Sequence, residues 1–176
     1  LKIRAIHKGE FEYTESFVRK IFKNTGHTDG EYEKAWLKKI REKPFYIPEF
    51  DLVVEDEGKI IGHFVLSKFP ISQKHEDEVL MLSPVSVAIP NQRQGVGEYM
   101  LREGIQLAAD SGFKGIVVEG DFRYYRRFGF RTSTEFGIHA SQKNLPPSED
   151  YLMALELCEN GLKNISGEVD YSMYND

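Results

Sequence analysis

Apolar residues recur at two different spacings along this chain, and the changes between them mark out its elements. Residues 2–6 are short and mixed apolar and predict a strand, whereas Phe11, Phe17, Val18, Ile21 and Phe22 recur at near-helical spacing over Glu10 to Phe22. Asn24 to Gly30 is a polar, glycine-bearing connection. Beyond it, Tyr32, Ala35, Trp36 and Ile40 predict a second amphipathic helix, ended by Pro44. Leu52 to Val54 and Ile60 to Leu66 flank the turn signal Asp56-Glu57-Gly58 and predict an antiparallel hairpin. Val79 to Ile89 reads as a strand with Pro84 inside it; a proline has no N–H for the ladder, so a bulge or a local break in pairing is expected there.

From Gln94, the positions Met100, Leu101, Ile105 and Ala108 share one face at period 3.6, predicting a long helix that ends near Gly112. Ile116 to Val118 predicts a short strand, Phe122 to Phe128 a short helix, and Tyr151 to Leu157 and Val169 to Tyr171 closing strands. Ser141 to Asp150, with Pro146-Pro147, reads as a loop. No repeat, low-complexity segment or linker divides the chain, and 176 residues suit one domain spanning 1–176.

Composition narrows the function classes. Hydrophobic residues at 40% and charged residues at 29% are those of an ordinary globular chain. A formal charge of -5 lacks the basic excess that phosphate contacts to nucleic acid reward, so no nucleic-acid partner is expected and an anionic ligand must find local positive charge. No apolar run approaches the about 20 residues of a membrane span. The opening LKIRAI lacks the apolar centre of a signal peptide, so no membrane partner and a cytoplasmic location are expected. On that expectation the sequon Asn164-Ile165-Ser166 is chance. The single Cys158 has no intramolecular disulfide partner and, placed in an apolar strand, is expected to be a buried structural thiol. No pair of histidines shows metal-ligand spacing, so no metal is expected, and His63, inside an apolar run, reads as a structural histidine.

The strand ending at Ile89 leads through Pro90, Asn91, Gln92, Arg93, Gln94, Gly95, Val96 and Gly97 into the long helix. A helix N-terminus presents unpaired N–H groups and the positive end of the macrodipole, Gly95 and Gly97 remove Cβ atoms, and Arg93 adds a cation, which together make a phosphate cradle. Two glycines at a strand-to-helix turn also serve simply to make the turn. A Gly-Lys-Ser/Thr phosphate loop is absent, and Met100 occupies the third glycine position of the dinucleotide fingerprint. Glu119 does lie at about the distance at which that fingerprint places its acidic residue, which keeps a dinucleotide enzyme as a remote alternative.

Gln92-Arg93-Gln94-Gly95-Val96-Gly97, preceded by VSVAIP, resembles the Q/R-x-x-G-x-G/A motif of GNAT acetyltransferases. Tyr124-Tyr125-Arg126-Arg127-Phe128-Gly129-Phe130 resembles that family's second signature, and the tail, with MALEL followed by a short loop and a final strand near Val169, is similar to a bacterial branch of small N-acetyltransferases carrying YYxRFGF. The resemblance implies an α/β fold of the GNAT type: a mixed, mostly antiparallel twisted sheet with flanking helices, in which two neighbouring parallel strands splay to admit pantetheine. It implies acetyl-CoA as co-substrate and direct attack by a primary amine of an acceptor it does not identify. A GNAT-like module that binds acyl-CoA without turnover is the alternative, and a homodimer is compatible with the family.

Carried onto these residues, the resemblance places cofactor binding at Gln92 to Gly97. It places a backbone donor to the thioester at Val87 or its neighbours Ser86 and Ala88, and makes Tyr125 the acid for the departing thiolate. Glu119, Asp121 and Glu78 are then candidates for the proton-accepting base, with Glu119 preferred. Arg126, within the cationic cluster of Arg123, Arg127 and Arg131, is a candidate contact for the nucleotide phosphate, and Tyr124 is assigned to the core. The connection Asn24 to Gly30, with Tyr32 and Trp36, falls in the region that borders the acceptor groove in this family.

Overall fold

Hydrophobic periodicity places the main elements close to where they occur in the computed structural model, which describes residues 1–174. In chain order they are β1 (Lys2–Ala5), α1 (Phe11–Asn24), α2 (Glu31–Glu42), β2 (Asp51–Asp56), β3 (Lys59–Lys68), β4 (Val79–Val87), α3 (Val96–Asp110) and β5 (Gly115–Glu119). There follow α4 (Phe122–Tyr125), β6 (Arg131–Thr132), β7 (Ile138–Ala140), β8 (Leu152–Glu156) and β9 (Gly167–Val169). Seven strands form one mostly antiparallel sheet in the order β1-β2-β3-β4-β5-β8-β6, and β7 and β9 form a separate two-stranded sheet. The chain gathers into two units, Leu1–Ser67 with Ser83–Gly104, and Lys68–Leu82 with the chain from Ile105 onward.

In the first unit β1, β2 and β3 form an antiparallel meander, from Lys2↔Glu55 to Ala5↔Leu52 and from Asp51↔Val65 to Asp56↔Lys59. The β2–β3 turn places Glu57 and Gly58 at φ 51 and 77, the left-handed pair that a tight hairpin requires. Strand alternation sends Gly62 and Phe64 to one face and His63 to the other. On the first face α3 comes close: a Cβ at Gly62 would stand 2.5 Å from the Met100 sulfur. Phe64 and Met100 are fully buried, each burial contributing roughly 1.5–3 kcal/mol. On the opposite face, α2 reaches Asp51 and His63 through Arg41.

In the second unit the start of β4 pairs with β5 in parallel, Val79↔Gly115, Leu80↔Ile116 and Met81↔Val117. Pairing ends there, although β4 runs on to Val87 and β5 to Glu119. The interruption expected around Pro84 is therefore present, beginning before the proline. β5 pairs antiparallel with β8 along its whole length, from Gly115↔Glu156 to Glu119↔Leu152, and β6 adds two residues at the edge of β8.

Three expectations change. Val169 to Tyr171 does not close the main sheet: β9 pairs in parallel with β7, and Tyr171 lies in the following 3-10 turn. The helix expected over Phe122 to Phe128 is four α residues followed by a 3-10 turn at Arg126–Phe128, which ends on Gly129 at φ 95. Cys158 is exposed rather than buried, because β8 stops at Glu156 and Cys158 opens a turn in which Gly161 N–H donates to its carbonyl. Strands β6 and β7, of two and three residues, are too short to leave a periodic signal.

Candidate active site

At the junction of β4 and α3, the cradle read from the sequence has specific geometry. Arg93 and Gly95 sit at φ 61 and 83, both in the left-handed region, so the loop turns twice before the helix starts. No atom lies within 4 Å of where a Gly95 Cβ would be, so the protein leaves open space over that backbone. Glycine is needed there for its φ, and the vacant volume leaves room for a ligand to approach. The helix ladder begins with Tyr99 N–H donating to the Gly95 carbonyl, so the N–H groups of Val96, Gly97 and Glu98 have no acceptor within α3. Gln92 Nε2 donates to the Val87 carbonyl at 3.0 Å and Gln94 Nε2 to the Pro90 carbonyl at 3.0 Å; both glutamines shape the loop through its own backbone. Amides left over at a helix N-terminus beside open space at Gly95 are the features an anion site needs.

Just past the end of β4 the Ala88 N–H donates to the Ile61 carbonyl at 2.8 Å. By strand alternation, the Val87 N–H faces the other edge, the one whose pairing with β5 ends at Met81. Among the three neighbours, Val87 is therefore the residue whose N–H is aimed away from β3. The Ser86 hydroxyl is buried and has no hydrogen-bond partner among the described residues. Trp36 of α2 donates from its indole to the Ser83 hydroxyl at 3.1 Å, tying that helix to β4.

In the second unit the end of β5 collects the acid–base candidates. Gly120 is bare, and a Cβ there would stand 2.8 Å from Tyr125 Cε2, so the Tyr125 ring lies against the backbone that follows Glu119. The ring also packs edge-on against Phe130 and Tyr124, at centroid separations of 5.7 and 5.1 Å. Burial, reinforced by Tyr124, pushes the Tyr125 phenol well above its ordinary pKa, so it holds its proton at neutral pH. Tyr124, assigned to the core, is half-buried, stacked edge-on between Tyr125 and Phe128 under the Arg127 guanidinium. Glu119 is exposed as a residue at the end of β5, but partial desolvation of its carboxyl raises its pKa, opposed by a hydrogen bond that its Oε2 accepts from Tyr171 at 3.1 Å.

The other two base candidates have structural engagements. Asp121 caps α4, accepting from the Arg123 N–H at 2.9 Å and pairing with its guanidinium. Glu78 pairs with His75 and Lys114, beside the start of β5. Four residues of extended strand separate that end of β5 from Glu119, about 13 Å. The cationic cluster is likewise divided: Arg131 pairs with Glu135, while Arg126 lies 4.8 Å over the Phe122 ring and is exposed.

One polar group escapes sequence reading. Asp51 is fully buried and accepts hydrogen bonds from Arg41 (2.8 Å), Tyr46 (2.7 Å) and His63 Nε2 (2.7 Å), while Arg41 also reaches Glu15 and Thr14. Burial pushes the Asp51 carboxyl up, but the bonds from His63 and Arg41 outweigh it and leave it at about 2. Burial likewise lowers the His63 pKa, so the ring is neutral and donates from Nε2. Its Nδ1 has no partner among the described residues, so His63 is structural but satisfied on one side only. The group's members lie 5 to 37 residues from Asp51 along the chain, with no local motif to announce them. His27 is exposed in the α1–α2 connection. Among the described residues no group of three or more His, Cys, Asp or Glu is placed to hold a metal ion, and no helix is long and apolar enough to cross a membrane.

A mixed sheet whose parallel pair parts before a glycine-bearing loop at a helix N-terminus is the arrangement expected of the GNAT fold. Residues 11–130 match the acetyltransferase (GNAT) family, and the chain belongs to that family. It is 26% identical over 121 residues to YhbS of Escherichia coli strain K12, described as an uncharacterized N-acetyltransferase, covering 68% of this chain and 70% of that protein. It is 30% identical over 84 residues to YjhQ of the same strain, similarly described, covering 47% and 46%. Among solved structures, Escherichia coli YhbS in complex with CoA matches with a TM-score of 0.84 at 22% identity, over 99% of this chain and 91% of the other. A GNAT acetyltransferase from Brucella melitensis in complex with acetyl-CoA matches at 0.78 and 24% identity, over 99% and 97%. The dinucleotide alternative has no doubly wound parallel sheet to stand on, since β4 and β5 are the parallel pair in the main sheet.

Proposed function

We propose that this protein transfers an acetyl group from acetyl-CoA to a primary amine by direct attack within a ternary complex. The observation that carries the reading is the β4–α3 junction, where open space over Gly95 meets amides left unpaired by the helix. Two related structures that hold CoA and acetyl-CoA support the same ligand class. Gln92 to Gly97 hold the diphosphate with backbone N–H groups, Arg93 adds charge, and the exposed Arg126 guanidinium meets the nucleotide phosphate. The Val87 N–H, on a strand shaped by Ser86 and Ala88, donates to the thioester oxygen as negative charge develops there. Acetyl-CoA supplies an activated acyl group on a thiol leaving group.

The chain's own residues then move two protons. Glu119, with its raised pKa, takes the proton the amine loses as the C–N bond forms. Tyr125 gives its phenolic proton to the sulfur as the C–S bond breaks, and regains one from solvent. An amine-panel assay of thiol release, run beside a calorimetric titration with acetyl-CoA, tests the reading. Acetyl-CoA binding with amine-dependent thiol release is expected. Binding with no release for any amine would leave a binding module, and no binding would remove the junction from the site.

A further inference from the structure

The C-terminal turn at Tyr171–Tyr174 belongs to neither signature motif and lies beyond residue 130, where the family match ends. It is nevertheless firmly held. Tyr174 is 1% exposed, its hydroxyl donates to the Lys68 carbonyl at 3.0 Å, and its ring stacks on Phe69 at 6.1 Å. Tyr171 meets Phe69 edge-on at 5.5 Å, and Asp170 braces the turn by accepting from the Ser172 N–H. On the N-terminal side, β9 is paired along its three residues with β7. The Tyr171 ring is held by these contacts, and its hydroxyl donates to the carboxylate of Glu119, 52 residues away in the chain.

We infer that Tyr171 is a positioning residue for acetyl transfer, fixing by its hydroxyl the Glu119 carboxylate that accepts the amine's proton. The inference rests on the reading of Glu119 as the base. Glu119 sits at the last residue of β5, where its backbone is fixed by pairing with Leu152, but nothing in that pairing orients its side chain. A free glutamate samples several rotamers, and a base that must meet a proton at hydrogen-bond distance loses rate with each wrong one. Tyr171 Oη, donating to Oε2, selects one rotamer and leaves Oε1 for the amine. The same bond opposes desolvation: partial desolvation alone pushes the Glu119 carboxyl up, and the donor from Tyr171 draws it back down. Tyr171 thus favours the ionised form of the carboxylate, the form that accepts a proton. The Tyr125 ring, packed against Gly120, brings the proposed acid to the residue next to this base.

The test is a set of three variants, Tyr171→Phe, Glu119→Gln and the double variant, with Tyr174→Phe as a control in the same turn. Tyr171→Phe keeps the ring against Phe69, so its melting temperature should stay near the parent's. In a thiol-release assay kcat should fall about tenfold with little change in KM for acetyl-CoA, the pattern of a lost transition-state contribution. The acid limb of the pH profile should move to higher pH, as should the titration of the Glu119 side-chain carbon followed by NMR. Tyr174→Phe should move neither. The double variant should be no slower than Glu119→Gln alone, since Tyr171 acts only through that carboxylate. If Glu119→Gln lowers kcat while Tyr171→Phe leaves both kcat and the Glu119 titration unchanged, the inference fails and the base assignment stands. If Glu119→Gln turns over at the parent rate, the base assignment falls and the role of Tyr171 falls with it.

Discussion

Tyr125 combines the two properties an acid catalyst needs, a proton it keeps at neutral pH and a fixed ring. Its phenol is raised by burial and its ring is held by Gly120, Phe130 and Tyr124. Tyr125→Phe keeps every ring contact and deletes one hydroxyl, so stability and acetyl-CoA affinity should barely change while turnover drops roughly 10²- to 10⁴-fold. Single-turnover thiol release is the appropriate measurement, because slow product release can hide part of the loss in steady state. Release at the parent rate would remove Tyr125 as the acid. Asp51 raises a different issue at the same scale, since it is a buried carboxylate whose partners are Arg41, His63 and Tyr46. Asp51→Asn should cost about 3 kcal/mol in urea melts, because it leaves the Arg41 charge short of its main counter-ion. With a folded pKa of about 2, below the ordinary 3.8 of an aspartate, the stability Asp51 contributes is present above pH 4 and is lost as pH falls toward 2. A pH series of melts should show that loss in the parent and not in the asparagine variant.

Among the elements, the β4–α3 junction carries most of the cofactor contacts we propose. Gly95 at φ 83 is strained for any L side chain even though the space around its missing Cβ is open. Gly95→Ala should therefore have two separable effects. Stability should fall by roughly 1 kcal/mol from the left-handed backbone, and acetyl-CoA affinity should fall at least tenfold, roughly 1.4 kcal/mol, from the methyl group standing where the diphosphate approaches. Thermal melts without ligand report the first, and calorimetric titration of the folded variant the second. Unchanged affinity would mean the glycine serves only the turn. The edge strands β6, β7 and β9 show the opposite case: elements of two or three residues exist because β8 and each other supply partners, not because their sequence demands a strand.

For the molecule as a whole, two elements divide internally between the units: β4 at Leu82 and Ser83, and α3 at Gly104 and Ile105. A helix or strand that must break in the middle couples the stability of its two ends, so heating should give a single calorimetric transition with matching calorimetric and van't Hoff enthalpies. Acetyl-CoA at 100 times its Kd should stabilise the native state by about 2.7 kcal/mol and raise the midpoint accordingly. Two resolved transitions would show that the units melt independently.

Local patterning was sufficient for much of this. The alternation of Leu52 to Leu66 around Glu57-Gly58, the 3.6-residue stripe through Met100 and Ala108, and the glycines of Gln92 to Gly97 each report on neighbours a few residues away, where strand pleat, helix period and turn sterics act. The loop could be read as a phosphate cradle because its chemistry lies in consecutive backbone amides. Cys158 was misplaced because a strand's last residue is set by its partner's length, not its own apolarity. Tertiary structure alone decided that Asp51 and Arg41 meet in the core and that Tyr171 reaches Glu119. Those contacts join residues 10 to 52 apart in sequence, and a hydrogen bond between distant side chains exists only once the backbone between them has been folded to bring them together.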